Sequence, residues 1–485
     1  TQMDVQAARQ KLTTLGQTAL LKQFDRLDPA AAAKLAGQVN ELDPTLIGEL
    51  IETMVRNKPH VELPKDIQPA KAYPRTPDAE HRALYEKAEQ RGHELLKQGK
   101  VAAFLVAGGQ GTRLGYQGPK GEVPPTPNKN NPPFQGSPAP PIKNKPLFQV
   151  FAEQLLAYSR DSGKSIPWYI MTSEANDART RAFFEQHNHF GYPKADVFFF
   201  QQGMMPAFSF DGQILLGEPD GLALSPDGHG GSLRALQKSG AIADMQRRGV
   251  EHLSYFQVDN PIVHTIDPLF LGLHDLTGSE MSSKTIGKAH ALEKVGNFAV
   301  ADGKLQVIEY SDLPESLAVQ TNPDGTLKFN AGSIAIHAIR VAFIDRMTNG
   351  GNLTLPWHRA EKKVPYIDSS GKLVKPDAPN AVKLEQFVFD AIPLAKNPIV
   401  YTTDRAEEFS PVKNAEGSDS PATSRRDQVR RAARWLSAAG VDVPMKNGEP
   451  DAVIEISPLF AANAQQLRTR KLPPNIAAGA QIVLE

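Results

Sequence analysis

The residues best suited to chemistry lie in one glycine-rich stretch, Leu105-Val-Ala-Gly-Gly-Gln-Gly-Thr-Arg-Leu-Gly115, followed by Pro119-Lys120-Gly121. Glycines such as Gly108, Gly109 and Gly111 let a backbone turn sharply and present N–H groups to an anion. Arg113 adds a planar guanidinium fork that matches phosphate oxygens, and Lys120 adds a movable point charge. The combination reads as an anion-binding loop suited to phosphate, with a tight βα turn carrying surface charges as the plainer alternative. Two common phosphate loops fail on spacing. A P-loop needs G-x-x-x-x-G-K-[ST], but Tyr158 stands five before the Gly163 of Gly163-Lys164-Ser165. The dinucleotide fingerprint needs G-x-G-x-x-G, but three residues separate Gly111 from Gly115.

Such a loop has to be held by buried elements. Val101 to Val106 is a short apolar run ending in glycines, as expected of a buried parallel strand. Similar runs follow at Trp168 to Met171, Val197 to Phe200, Leu253 to Val258 and Val307 to Tyr310. Helical patterns at Pro146 to Tyr158, Glu174 to His187 and Leu233 to Arg248 separate several of them. The alternation implies an α/β fold with a mostly parallel sheet covered on both faces. Ligands in such folds bind outside the carboxyl ends of the strands.

The flanking regions read differently. Residues 1–98 read as a helical N-terminal region. Asp28-Pro29 and Asp43-Pro44 each place an N-cap acid before a proline at the first helical position. Asn57 to Arg75 is proline-rich and extended, and Thr76-Pro77 opens a helix running to about Gln98. Residues 99–397 form the expected catalytic domain. Within it, Pro124 to Lys145 holds eight prolines and four asparagines among 22 residues and reads as a loop. Residues 398–485 form a small final domain, with a helix at Arg426 to Ala439 and strands at Val453 to Ile456 and Gln481 to Leu484.

Composition narrows the function classes. Lys+Arg and Asp+Glu each count 54, which gives no reason to expect a nucleic-acid or membrane partner. The absence of cysteine removes disulfides, thiolate zinc sites and cysteine nucleophiles. No run approaches the ~18 apolar residues of a membrane span. Thr1 to Ala19 lacks the apolar stretch of a signal peptide, so the expected compartment is the cytoplasm. The histidines show no His-Glu-x-x-His spacing, and no Gly-x-Ser-x-Gly elbow occurs. Ser369-Ser-Gly-Lys372 fits Ser-x-x-Lys but reads as a turn.

GGQGTRLG followed by PKG resembles the signature of the eukaryotic-type UDP-sugar pyrophosphorylases, above all the branch that forms UDP-N-acetylglucosamine. Further segments match in order: Trp168–Ser173, Phe199–Gly212, Ser225–Gly231, Val258–Asn260, Ile308–Tyr310, Phe329–Gly332, Glu385–Asp390 and Phe409–Asn414. The resemblance implies a nucleotide-diphospho-sugar transferase fold: a Rossmann-like mixed sheet flanked by helices, with a helical N-terminal region and a small β-rich C-terminal domain. It implies UTP and a sugar 1-phosphate as partners, with Mg²⁺, or Mn²⁺ as the alternative ion. Arg113, Lys120 and Lys413 take the catalytic roles in this carry-over. Asp259 takes the metal, although an Asp after a strand is also a common turn cap. Gly108, Gly109, Gly111, Thr112, Gln202, Gly228 and His229 take the nucleotide. Gly296, Glu309, Tyr310 and Asn330 take the sugar. The Lys413 role rests wholly on the resemblance.

Two residues depart from the family pattern. His229 replaces an asparagine in Pro-Asp-Gly-Asn-Gly-Gly, and Ser333 replaces the asparagine that ends Phe-Asn-Ala-Gly-Asn. Both bear on the acceptor, so glucose 1-phosphate or galactose 1-phosphate stands as the alternative to the N-acetylated sugar. A non-catalytic UDP-sugar-binding protein is the third reading. The sequence leaves the oligomeric state open.

Overall fold

The computed structural model describes residues 1–60, 62–124, 145–351 and 353–485. The proline-rich stretch expected as a loop lies outside the described residues between 125 and 144. The chain forms two compact units. One gathers residues 1–63, 202–232 and 354–390, and the other gathers 64–201, 233–353 and 391–485.

The larger unit is organised on a ten-stranded mixed sheet. Its strands are β1 (Gln68–Pro69), β2 (Val101–Val106), β3 (Trp168–Thr172), β4 (Val197–Gln201), β5 (His252–Gln257), β6 (Met281–Gly287), β7 (Asn297–Ala301), β8 (Lys304–Ile308), β9 (Ala331–Arg340) and β10 (Ile399–Thr402). The order is β1-β7-β9-β5-β2-β3-β4, with β8 on β7 and β6 joining β9 to β10. Strands β5, β2, β3 and β4 run parallel, as the alternating pattern implies. The long β9 runs antiparallel to β5, β6 and β7, so the sheet is mixed rather than mostly parallel. Ala335 takes a left-handed backbone (φ 57°) where the β6 register slips, which bends β9 as a bulge does.

Aromatic packing fixes the parallel half. Phe148 and Phe151 of the helix Leu147–Ser162 are fully buried with Trp168, Phe184 and Phe256. The helices Arg82–Lys97 and Pro268–Leu276 cross in contact through glycine. A Cβ on Gly272 would sit 1.6 Å from the Ala88 carbonyl oxygen, and one on Gly92 1.7 Å from that of Pro268. The helix expected from Thr76-Pro77 starts only at Arg82, because the Asp78 carboxylate accepts from the His81 N–H and holds a turn ahead of it. The single helix expected over Leu233 to Arg248 is two, Gly231–Lys238 and Ala241–Arg248. They are broken at Gly240, whose φ of 84° no right-handed helix contains. Near the C-terminus, the helix Pro421–Ala438 packs on a parallel pair, Ala452–Ile456 with Ala480–Leu484.

In the smaller unit the N-terminal helices start where the sequence signals them. Asp28 caps Pro29–Asn40 by accepting from Ala31 N, and Asp43 caps Pro44–Leu50 by accepting from Thr45 and Leu46 N. Leu12, Leu35, Val39, Ile47 and Leu50 pack there against Phe208, Val382 and Leu384 of a three-stranded antiparallel sheet. Among the described residues no helix is long and apolar enough to cross a membrane.

Candidate active site

Gly108 to Lys120 leaves the carboxyl end of β2 and folds back on itself. Gly111 N donates to Gly118 O (2.8 Å), and Lys120 N donates to Gly109 O (3.1 Å). Thr112 to Leu114 forms a single 3₁₀ turn closed by Gly115 at φ 73°. Leu114 is buried with Val123 and Val412, which pins the turn from below and leaves Thr112 and Arg113 exposed.

Three cations and one carboxylate meet beside this loop. Arg113 Nη2 donates to Asn414 Oδ1 at 2.9 Å. Val412 N donates to the Asp259 carbonyl at 2.6 Å, which sets the following Lys413 beside Asp259. Lys120 is partly buried. Burial, the largest influence, holds its ammonium below the usual lysine range. Asp259 opposes the shift, while Lys413 and Arg113 add to it by repulsion. A net-positive group of this kind attracts an anion. The structure therefore brings Arg113, Lys120, Asp259 and Lys413 together, and Gly108, Gly109, Gly111 and Thr112 with them.

The candidate sugar residues lie at the ends of β7, β8 and β9 in the same unit. Gly296 has Val307, the Glu309 carboxylate and Ser333 around the position a Cβ would take, at 2.7, 3.7 and 3.7 Å. Ser333 N donates to Gly296 O (2.8 Å). Asn330 Oδ1 accepts from Lys288 N at 2.9 Å. Gly296, Glu309 and Ser333 thus form one group, with Asn330 on the adjoining segment. Tyr310 is turned outward, 47% exposed.

Gln202, Gly228 and His229 belong to the smaller unit, where they form one motif. Gln202 Nε2 donates to Gly228 O at 2.9 Å, which fixes the amide. Gly230 N donates to Gln386 O and Gln386 N to Asp227 O, both at 2.8 Å. His229 Nδ1 accepts from Val388 N at 2.9 Å, and its ring packs near Phe387 and Phe389. Burial first, and His358 second, push the His229 pKa down to about 4, so the ring is neutral at pH 7.

Residues 50–420 match the UDPGP family, described as UTP–glucose-1-phosphate uridylyltransferase. The chain belongs to this family. UDP-N-acetylhexosamine pyrophosphorylase-like protein 1 of Homo sapiens is 37% identical over 491 residues, covering 95% of this chain and 94% of that protein. UDP-N-acetylglucosamine pyrophosphorylase of Saccharomyces cerevisiae is 40% identical over 378 residues, covering 76% and 75%. The solved uridine diphosphate N-acetylglucosamine pyrophosphorylase of Trypanosoma brucei superposes with a TM-score of 0.81 at 25% identity, covering 99% and 98%. The UDPGP family is one of nucleotidyltransferases that generally use a divalent metal.

Several residues that brace the candidate site either escaped the sequence reading or entered it only as part of a longer motif. Asn176, buried, donates to the carbonyls of Ala107 (3.3 Å) and Gly108 (3.2 Å) and braces the loop entrance. Glu122, also buried, takes a two-pronged bond from Arg179 (2.9 and 2.6 Å) and a third from Tyr116 (2.8 Å). Arg179 also donates to Gln117 O at 2.6 Å. Gly121 of Pro-Lys-Gly faces the Phe148 ring, 2.1 Å from where a Cβ would stand. Leu147 N closes this corner by donating to Val123 O at 3.0 Å. Asn260 donates to Glu408 O (2.6 Å) and accepts from Ser410 N (3.2 Å), which ties the Lys413 segment to the end of β5. The buried Gln110 Oε1 has no hydrogen-bond partner among the described residues. The Val-Asp-Asn and Pro-Lys-Gly matches covered Asn260 and Gly121. Nothing in the sequence distinguishes Asn176 or Arg179 from surface polar residues.

Proposed function

We propose that the protein joins UTP to N-acetylglucosamine 1-phosphate, giving UDP-N-acetylglucosamine and pyrophosphate. The observation that carries this is the gathering of Arg113, Lys120 and Lys413 around Asp259 beside the glycine loop. The acceptor is supported by the relatives that share most of the chain, a UDP-N-acetylhexosamine pyrophosphorylase-like protein and a UDP-N-acetylglucosamine pyrophosphorylase.

In the proposed step the sugar phosphate oxygen attacks the α-phosphorus of UTP. The α-phosphorus to bridging-oxygen bond breaks, and pyrophosphate leaves in line. The nucleophile is already an anion, so no general base is needed. What the protein supplies is position and positive charge. The glycine-loop N–H groups and Thr112 hold the triphosphate. Arg113 and Lys120 bind the β- and γ-phosphates and the departing pyrophosphate, and Lys413 approaches the reacting phosphates. Partial burial of Lys120 strengthens its attraction to the phosphate charge it neutralises. Gly108, Gly109, Gln202, Gly228 and His229 keep the nucleotide role that the resemblance implies, and Gly296, Glu309, Tyr310 and Asn330 the sugar role.

Asp259 suits Mg²⁺, a hard ion that takes one or two carboxylates plus phosphate oxygens and water. Among the described residues, the groups of three or more acid and histidine ligands do not include it. Phosphates and water would therefore complete the shell. The ion would neutralise phosphate charge and orient the reacting oxygens.

A second reading keeps UTP and changes the acceptor to glucose 1-phosphate or galactose 1-phosphate. The place of Ser333 beside Gly296 and Glu309 favours it. Pyrophosphate release from UTP with Mg²⁺ tests both, with the three sugar phosphates run side by side. A strong preference for the N-acetylated sugar upholds the first reading, and a preference for an unacetylated hexose the second. Tight UDP-sugar binding without pyrophosphate release, on any acceptor, would leave a binding protein.

A further inference from the structure

Asn414 is uncharged, yet its bonds join the two cation-bearing segments of the candidate site. It directly follows Lys413. Its side chain is half-buried and engaged at both ends. Nδ2 donates to Ser418 O at 2.9 Å, and Oδ1 accepts from Arg113 Nη2, also at 2.9 Å. The main chain around it is held as well. Lys413 N and Asn414 N both donate to Asp419 O, at 2.7 and 2.9 Å. The turn so closed contains two left-handed residues, Gly417 (φ 77°) and Asp419 (φ 51°). Val412, two residues before Asn414, is buried with Leu114 of the glycine loop. The bond to Ser418 decides what Arg113 meets. Only the NH₂ end of an amide can serve a carbonyl, so the oxygen end is left to face the guanidinium. Among the described residues this is the one hydrogen bond that Arg113 makes.

We infer that Asn414 is the positioning residue for Arg113: it aims the guanidinium at the departing pyrophosphate and fixes it relative to Lys413. The inference rests on the uridylyl-transfer reading and adds a part to it. Arg113 and Lys413 come from segments far apart in sequence, and Asn414 makes them one aimed pair rather than two independent charges. A long exposed side chain loses rotamer freedom when it is ordered. Here that ordering precedes the ligand, which is where positioning gains its effect on rate. The neutrality of the acceptor matters too. An amide oxygen takes one N–H of the fork and cancels none of its charge, so the remaining N–H groups keep their attraction for phosphate oxygens.

The test is a double-mutant cycle on the full chain. It reads pyrophosphate release from UTP and Mg²⁺ with the best of the three sugar 1-phosphates, and UTP binding by calorimetry. Asn414→Ala should lower kcat about tenfold and move the KM for UTP by less than about threefold, because the guanidinium keeps its charge and loses its aim. In the Arg113→Ala background the same substitution should change kcat by less than about twofold, since a residue that acts through Arg113 has nothing left to act on. An undiminished loss in that background would mean that Asn414 only closes its own turn, and it overturns the inference. So does a normal kcat in Asn414→Ala. Asn414→Asp keeps the size and the oxygen but sets a charge against the fork, so UTP affinity should fall about tenfold or more. It keeps the test decisive if Asn414→Ala fails to fold, and unchanged UTP affinity in it overturns the inference. A wild-type chain that neither binds UTP nor releases pyrophosphate overturns the uridylyl-transfer reading and this inference with it, an outcome distinct from any shown by the variants.

Discussion

The loops Gly108–Gly121 and Asp227–Gly231 are both rich in glycine, and Gly109 of the first serves an opposite end from Gly228 and Gly230 of the second. A Cβ on Gly109 would meet nothing within 4 Å. The residue is exposed, and its missing side chain leaves main-chain N–H groups open to a ligand. A Cβ on Gly228 would lie 2.2 Å from the Gln386 carbonyl oxygen, and one on Gly230 would lie 2.6 Å from the Gln386 carbonyl carbon. There the missing side chains let two stretches of backbone close on each other. The first loop carries charge and is braced from outside by Asn176, Glu122 and Arg179. The second is held by main-chain bonds to Gln386, by the Gln202 amide and by His229. A glycine-rich signature therefore says little until it is known whether the space beside each glycine is empty or filled.

Charge removal is the sharpest way to break the contrast. Arg113→Ala and Asp259→Ala should each lower turnover by about a hundredfold or more, the scale seen when one preorganised charge is lost. The melting temperature should hold, because Arg113 is exposed and Asp259 half-buried, and neither belongs to the hydrophobic core. Near-normal rates in either variant would remove that residue from the mechanism. Glycine substitution separates the loops next. Gly228→Ala should cost about 2–3 kcal/mol in chemical denaturation, since its φ is 85° and its Cβ meets backbone that cannot give way. Gly109→Ala should leave stability unchanged and raise the KM for UTP. Equal destabilisation by the two would show that the loops are not different in kind.

The brace gives a smaller effect. Arg179→Ala leaves the buried Glu122 carboxylate short of its main partner and should cost about 2 kcal/mol, with a raised KM for UTP. Arg179→Lys should recover part of the stability without the two-pronged geometry. The smallest effect is a pH dependence. His229 is held down to about 4 in the folded state, against about 6.5 for a free histidine. As pH falls through 6.5 the unfolded chain takes up a proton that the folded chain refuses until about 4, so stability declines across that window. Melts of wild type and His229→Asn at pH 7 and pH 5 check this. The difference between the two pH values should shrink in the variant.

The parallel half of the sheet was legible because its strands are mostly apolar runs, broken in β5 only by His252, Ser254 and Gln257. The other half was not. β6 carries Ser282, Ser283 and Lys284, all buried, and reads as a polar segment. It is a strand because Asp267 and Glu408 reach it from elsewhere in the chain and satisfy the lysine. β9 alternates buried and half-exposed residues before its bulge, a weaker signal than a continuous run. The break at Gly240 was visible as a glycine but not as a turn, since only its backbone angle makes it one. In the site, residues that carry charge announced themselves by type and order. Those that hold them in place, Asn176 and Arg179, are recognisable only through partners far away in sequence.

The hydrogen bond between Leu147 N and Val123 O has a meaning beyond the corner it closes. The chain departs at Val123 and is back in the same place at Leu147. Lys145, just before that return, gives its ammonium to Glu153 at 2.8 Å, a residue of the helix Leu147–Ser162. That helix, and Phe148 with it, is therefore held against Gly121 by a main-chain bond and an ion pair together, so that the start of the helix and the end of the glycine loop behave as one body.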